Sequence, residues 1–228
     1  MGRAGSHSGI ALGCLKKTMT INKQAVLRWL AAYADAVNAN ADELNRLDSA
    51  LGDGDFGASM QRGVQAMQAK VPAVADKDIG TIFKTIGMAL VSAMGGTSGP
   101  LLGTLFIQMG SKAQGKDDLT LHDLSEVLRA GVDGIMARGK AQVGDKTMLD
   151  AFVPAVDVLQ AASEQHLDLH TALHRASDAA KFGRDNTAQL VAKKGRASYV
   201  GERGTGHIDP GAANAYLFIS TLAEAIGN

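Results

Sequence analysis

The sequence predicts an all-α protein, a bundle of antiparallel helices joined by short polar loops. Two observations carry this: apolar residues recur at helical spacing in about eight or nine segments, and no run alternates convincingly as a half-buried strand would. A third concerns the joints. The glycine-rich and polar motifs fall at helix ends, and in an up-and-down bundle alternate loops share an end, so several can converge on one site.

The totals agree with one such domain, or at most two, since 228 residues can bury a full core. Charge balances at zero and only ten residues are aromatic, with no basic stripe among them, which excludes a nucleic-acid stacking platform. The single cysteine, Cys14, excludes an internal disulfide and a Cys-based zinc site and fits a reducing cytoplasm. No stretch reaches eighteen consecutive apolar residues, so no membrane span is expected. Residues 1–18 are rich in glycine and serine without an apolar core like that of a signal peptide. They read as a disordered leader, with the domain proper over 19–228.

Asn22 can cap a first helix whose apolar positions include Val26, Trp29, Leu30, Tyr33 and Val37, with Trp29 and Tyr33 expected in the core. A second helix runs from about Ala41 into an aspartate turn, and a third, Ala58 to Lys70, ends at Val71-Pro72. Asp76 or Asp78 opens a long apolar helix that stops at Gly95-Gly96-Thr97-Ser98-Gly99-Pro100, and another follows through Leu101, Leu105 and Met109. Residues 112–118 read as a polar linker, and Thr120 caps a helix that Gly139 to Gly144 break. Asp145-Lys146-Thr147-Met148 leads into the next helix, where Pro154 is tolerated if the helix starts late. His166, His170 and His174 stand at offsets of four, but no H-E-x-x-H pattern completes them, and a solvated face is the reading. A basic, glycine-rich connector then leads to Asp209-Pro210-Gly211, with Asp209 as cap and Pro210 at the first position of the last helix.

The stretch LNRLDSALGDGDFGASM, Leu44 to Met60, carries the clearest chemistry. Asp48, Asp53 and Asp55 stand on a helix end and the glycine turn after it. A carboxylate in the last turn of a helix opposes the macrodipole, and carboxylates 4 Å apart repel by about 4 kcal/mol at an effective dielectric of 20. A bound cation removes both objections. Oxygen ligands favour magnesium or calcium, yet an EF-hand fails because Val64 stands where its bidentate glutamate belongs. Magnesium takes a few carboxylates and completes its shell with water and phosphate oxygens, which suggests a nucleotide. The alternative is purely local, with Asp53-Gly54 as a turn and Asp55 as an N-cap. At Gly95 to Pro100, two glycines, Thr97 or Ser98 as cap and Pro100 in the first turn make a helix start that presents N–H groups and hydroxyls to an anion. A helix-helix loop would use the same residues for turning alone. It is not a P-loop, since no Gly-Lys-Ser/Thr follows, and the glycines of 201–206 are no dinucleotide fingerprint, since no strand precedes them.

Four motifs, LDSALGDGDFG, GGTSGP, RGKAQVGDKTM and KGRASYVGERGTGHIDPGA, together resemble the L subunit family of dihydroxyacetone kinases from about Asn22 onwards. The resemblance implies an eight-helix antiparallel barrel holding ADP or ATP with two magnesium ions at one end. By it, Asp48, Asp53 and Asp55 are the magnesium ligands, Thr97 and Ser98 hold phosphate oxygens, and Phe56, Gly57, Ala58 and Ser59 lie beside the nucleotide. Gly139, Met148, Arg196, Asp209, Pro210 and Gly211 complete the pocket. Met148 suits an adenine face and Arg196 offers a fixed fork to phosphate. The family often has histidine where this chain has Phe56, and asparagine where it has Ser59. A polar contact to the nucleotide is then absent or made elsewhere.

The activity implied is phosphoryl transfer to dihydroxyacetone, or a related small ketose such as erythrulose, held on a partner K subunit. ADP would stay bound and be recharged by a phosphohistidine protein of the phosphotransferase system; alternatively, ATP exchanges freely. A homodimer within the complex is a further implication. Rival readings are a nucleotide-sensing module that regulates a transcription factor, the related N-terminal domain of fatty acid kinases, and a purely structural bundle.

Overall fold

The computed structural model describes residues 20–227. Among these are nine α-helices: α1 (Lys23–Ala39), α2 (Ala41–Ser49), α3 (Phe56–Lys70), α4 (Ile79–Ala93), α5 (Ser98–Lys112), α6 (Leu121–Gly139), α7 (Leu149–Glu164), α8 (Leu169–Asn186) and α9 (Pro210–Gly227). The all-α expectation is met. The leader expected over 1–18 lies outside the described residues.

Four helix starts follow from side-chain caps that satisfy N–H groups with no partner inside the helix. Asn22 accepts the Ala25 N–H at 2.9 Å, Asp78 the Thr81 N–H at 3.1 Å, and Asp168 the Thr171 N–H at 2.9 Å. Thr120 and Asp123 form a reciprocal capping box.

Eight helices close a ring in chain order. α1 packs on α3, each helix from α3 to α9 packs on the next, and α9 returns to α1. The short α2 is inserted between α1 and α3 and rests on α3 and α9. The ring is filled with aromatic side chains rather than left hollow. Phe218 of α9 meets Trp29 and Tyr33 of α1, Phe106 of α5 and Phe152 of α7 edge to face, at centroid distances of 4.8 to 5.7 Å. Such pairs add about 0.5–1.5 kcal/mol each beyond the apolar area they bury. The two polar tips are satisfied, Trp29 Nε1 donating to the Phe218 carbonyl at 3.2 Å and Tyr33 Oη to Asn214 Oδ1 at 3.0 Å.

α4 and α5 make the closest pair. A Cβ at Gly80, Gly110, Gly87 or Gly103 would come within 2.6 to 2.8 Å of a carbonyl oxygen across the contact, so only glycine permits this approach, and it fixes the turn between the two helices.

Three local features differ from expectation. α7 starts at Leu149, so Pro154 stands sixth in the helix and deprives the Asp150 carbonyl of its usual donor. That carbonyl instead faces Gly183 of α8 so closely that no Cβ fits between them. The linker before α6 supplies a two-residue strand, Asp118–Leu119, paired antiparallel with Ile21–Asn22. α4 ends at Ala93, two residues before Gly95. Among the described residues no helix is long and apolar enough to cross a membrane.

The loops α2–α3, α4–α5, α6–α7 and α8–α9 gather at one end of the ring, where they line one cavity. The α3–α4, α5–α6 and α7–α8 loops and the start of α1 form the distal end, where the Ile79 N–H donates to the Lys116 carbonyl at 2.8 Å and the Lys23 N–H to that of Asp117 at 3.1 Å.

Candidate functional site

At the end of α2 the chain turns sharply, with the Leu51 N–H donating to the Asp48 carbonyl at 2.9 Å and Gly54 taking φ of 76°. This turn folds the three aspartates together. Asp48, Asp53 and Asp55 each present an oxygen within 4.8 Å of the others.

Asp48 does a second task. Its Oδ2 accepts the N–H groups of Asp55 at 3.0 Å and Phe56 at 3.2 Å, while Asn45 Oδ1 accepts that of Ala58 at 3.1 Å. Side chains of α2 therefore cap α3. Asp55, which stands at the N-cap position, makes no capping bond, so the local reading of Asp55 as a cap does not hold and its carboxylate is left to the cluster. Gly57 is required by the same crossing, because a Cβ there would fall on the Ala41 carbonyl. Asp53 pairs with Arg196 from the α8–α9 loop across the mouth of the site.

Facing the aspartates is the start of α5. Gly96 takes φ of 65°, nothing stands within 4 Å of a Cβ at Gly95 or Gly96, and Thr97 occupies the N-cap position without a side-chain capping bond. The N–H groups and hydroxyls of this turn are open to the cavity, an arrangement suited to an anion.

The α6–α7 turn is built round Asp150, whose Oδ1 accepts the Gly144 N–H at 2.6 Å and Oδ2 that of Thr147 at 2.7 Å. Lys146 is fully buried, and its Nζ donates to the carbonyls of Leu190, Gly204 and His207 at 3.1, 2.8 and 2.7 Å. Asp209 opens α9 as expected, Oδ2 accepting the Ala212 N–H at 2.7 Å. Burial pushes the Asp209 carboxyl up to about 7, against the Ala212 N–H, with the Asp150 charge adding to the rise and Lys146 opposing it. Burial likewise lowers the Lys146 ammonium, while the Asp209 and Asp150 charges pull it back.

These loops enclose a cavity of about 540 Å³. Asp48, Asp53, Asp55, Phe56, Ser59, Thr97, Ser98, Gly139, Met148, Arg196, Asp209, Pro210 and Gly211 all line it. Gly57 and Ala58 are not among the lining residues. Phe56 belongs to the hydrophobic core as well as to the cavity wall. Sequence reasoning missed Arg62, Arg138, Lys146 and Lys194, which also reach the cavity. The GDKTM stretch was a usable signal for Lys146, as a lysine between two glycine-rich breaks; the others look like ordinary surface cations. The expected histidine face has His170 and His174 exposed, their rings 4.4 Å apart, while His166 lies before α8 with φ of 55°.

A closed ring of helices that presents a carboxylate cluster and an open helix start at one mouth is an all-α barrel with its polar loops gathered on one cavity. The chain belongs to the DAK2 domain family, which matches residues 50–224. It is 44% identical over 207 residues to the ADP-binding subunit DhaL of the PEP-dependent dihydroxyacetone kinase of Escherichia coli, covering 91% of this chain and 99% of that one. To the ADP-binding subunit DhaL of the PTS-dependent dihydroxyacetone kinase of Lactococcus lactis it is 39% identical over 201 residues, 88% of this chain and 96% of the relative. The crystal structure of the C. freundii dihydroxyacetone kinase in complex with AMP-PNP and Mg2+ superposes with a TM-score of 0.71 at 26% identity. That match covers 98% of this chain and 37% of the C. freundii chain, so the present chain spans little more than a third of it.

Proposed function

We propose that this chain is the nucleotide-binding subunit of a dihydroxyacetone kinase, passing a phosphoryl group from a magnesium-bound nucleotide to dihydroxyacetone or a related small ketose on a partner K subunit. The observation that carries this is the meeting of Asp48, Asp53 and Asp55 with the open start of α5 on one cavity. The donor set fits magnesium, since all three ligands are hard carboxylate oxygens within reach of one another. Magnesium, when bound, neutralises charge on the phosphates and aligns donor with acceptor.

The chain's own residues bind and orient. Thr97, Ser98 and the first N–H groups of α5 hold phosphate oxygens, and Arg196 turns its fork from Asp53 to phosphate. Met148, 7% exposed in the wall, offers its thioether to the base, with Gly139 and the run Asp209, Pro210 and Gly211 completing the pocket. Phe56, Gly57, Ala58 and Ser59 are the segment beside the nucleotide. The reading carries with it two magnesium ions, a cytoplasmic setting, a homodimer within the complex, and inactivity without the partner subunit.

Of the two modes of supply, bound ADP recharged by a phosphohistidine protein of the phosphotransferase system is the one proposed. The relatives named PEP-dependent and PTS-dependent match this chain nearly end to end. The test is to purify the chain with magnesium, denature it and identify the released nucleotide. Stoichiometric ADP that survives long dialysis is expected. An empty protein that binds added ATP weakly would replace this mode with an exchanging kinase, and no nucleotide binding at all would overturn the reading.

A further inference from the structure

The α8–α9 loop, residues 187–209, is anchored at its ends, where Thr187, Ala192 and Gly204 are buried and Ile208 packs against the core, but none of residues 193–203 around Arg196 is buried. Beyond short 3-10 turns it lacks regular structure, and it is longer than most structureless connections in a compact domain. Gly195, Gly201 and Gly206 all take positive φ, and nothing stands within 4 Å of a Cβ at any of them, so no packing fixes these joints. Val191 and Tyr199 are exposed, and Leu190 and Val200 are only half-buried. An unrestrained loop would have to lose roughly 1–2 kcal/mol of backbone entropy per residue before Arg196 could stand in one place.

Two tethers close the base of the loop, the Gly206 N–H donating to the Ala188 carbonyl at 2.7 Å and the Asp209 N–H to the Thr187 hydroxyl at 3.0 Å, and further ones run to the α6–α7 turn. The Lys193 N–H donates to the Asp145 carbonyl at 3.1 Å. Lys146 Nζ takes the carbonyls of Leu190, Gly204 and His207, one on the outgoing strand of the loop and two on the return. An ammonium has three protons, and all three are used. Lys146 therefore has no proton to spare for a phosphate in the cavity it borders, which separates it from Arg196 in role. The lysine also sits at φ of 61°, a conformation that costs a non-glycine residue energy and persists only where surroundings enforce it. Asp150 braces the turn on either side of the lysine by accepting the Gly144 and Thr147 N–H groups.

We propose that Lys146 is the positioning residue for Arg196, its buried ammonium clamping both strands of the α8–α9 loop so that the guanidinium stands over the aspartate cluster. The proposal rests on the nucleotide reading above for its consequence, but not for its geometry. Two measurements on the full chain test it. The first is a double-mutant cycle on Mg-ADP affinity by titration calorimetry, with Lys146→Met, Arg196→Met and the pair. Lys146→Met is expected to weaken binding tenfold or more in the wild-type background and less than twofold once Arg196 is methionine. Additive losses, or unchanged affinity in Lys146→Met, overturn the proposal. The second is amide hydrogen exchange without nucleotide. Residues 190–207 should exchange at least tenfold faster in Lys146→Met while α4 and α5 stay as in wild type; unchanged loop exchange overturns it. If Lys146→Met does not fold, Lys146→Gln, which keeps two amide protons, replaces it in both. If neither folds, the lysine supports the whole barrel and the proposal falls. A wild-type chain that ignores Mg-ADP defeats the nucleotide reading alone, and the exchange measurement then decides the clamp.

Discussion

The two ends of the barrel differ in where their helix starts find side-chain partners. At the distal end, the ring helices α1, α4, α6 and α8 each begin with a side-chain cap, from Asn22, Asp78, Thr120 and Asp168. At the site end, the residues at the N-cap positions of α3, α5 and α7 make no capping bond, and of the four only α9 has its own cap, Asp209. Uncapped starts forgo about 1 kcal/mol each where nothing replaces the cap. The N–H groups of α3 are instead taken from α2 by Asp48 and Asn45, and the Thr147 hydroxyl accepts the Leu149 N–H at α7, so of the four site-end starts only that of α5 is left without a side-chain partner.

The sharpest break in this comparison comes from the cluster itself. Asp53→Asn with Asp55→Asn should weaken Mg-ADP binding a hundredfold or more, about 3 kcal/mol, in a calorimetric titration. The thermal midpoint should hold or rise, because repulsion between carboxylates is relieved. Asp78→Ala should do the reverse. It removes the acceptor for the Thr81 N–H, the Thr81 hydroxyl and the Gly115 N–H. A loss of about 2 kcal/mol in urea unfolding, with unchanged nucleotide affinity, is expected.

Titration sharpens the contrast. Burial raises the Asp123 carboxyl at the distal end, but Lys116 and the Thr120 N–H and hydroxyl outweigh it and bring it to about 2. Its folded value lies below its unfolded one, so its contribution is present above about pH 4 and is lost as pH falls through 2. The carboxyl is partly exposed, and about 1–2 kcal/mol is expected, read as the difference between wild type and Asp123→Asn across that window. Asp209 at the site end runs the other way. Its folded value, about 7, lies above the unfolded one, so its ionised form costs stability above pH 7, and the cost is relieved as pH falls toward 4. Asp209→Asn should flatten that slope. The smallest effect is predicted for Thr97→Val, which removes no capping bond and should change stability by less than about 0.5 kcal/mol while weakening nucleotide binding several-fold.

The gathering of the aspartates was legible because the signal is local: three carboxylates stand at offsets of five and two on one glycine turn. The glycine-flanked GDKTM stretch marked Lys146 as lying in a loop, but its burial was not legible from any local pattern. What buries it are carbonyls 44, 58 and 61 residues further along the chain. The local alternative for Asp55, an N-cap, fails for the converse reason. An N-cap aspartate is a sound local expectation, but Asp48 and Asn45 reach the α3 N–H groups first, and only the crossing of α2 on α3 brings them there.

The sequence by itself determined the all-α class, the starts at Asn22, Thr120 and Asp209, a start at Asp76 or Asp78 of which the structure chose Asp78, and the gathering of the glycine-rich polar motifs in alternate loops. Periodicity and capping act within three or four residues, so neighbours in the chain decide them. Tertiary structure alone decided that the eight ring helices close on a filled aromatic centre at Phe218. It also decided that Asp48 serves both a helix start and the carboxylate cluster, that Arg196 meets Asp53, and that a lysine is clamped inside. Each of these depends on the distance between groups that only the packed barrel brings together, and that distance is not a property of any local stretch of the chain.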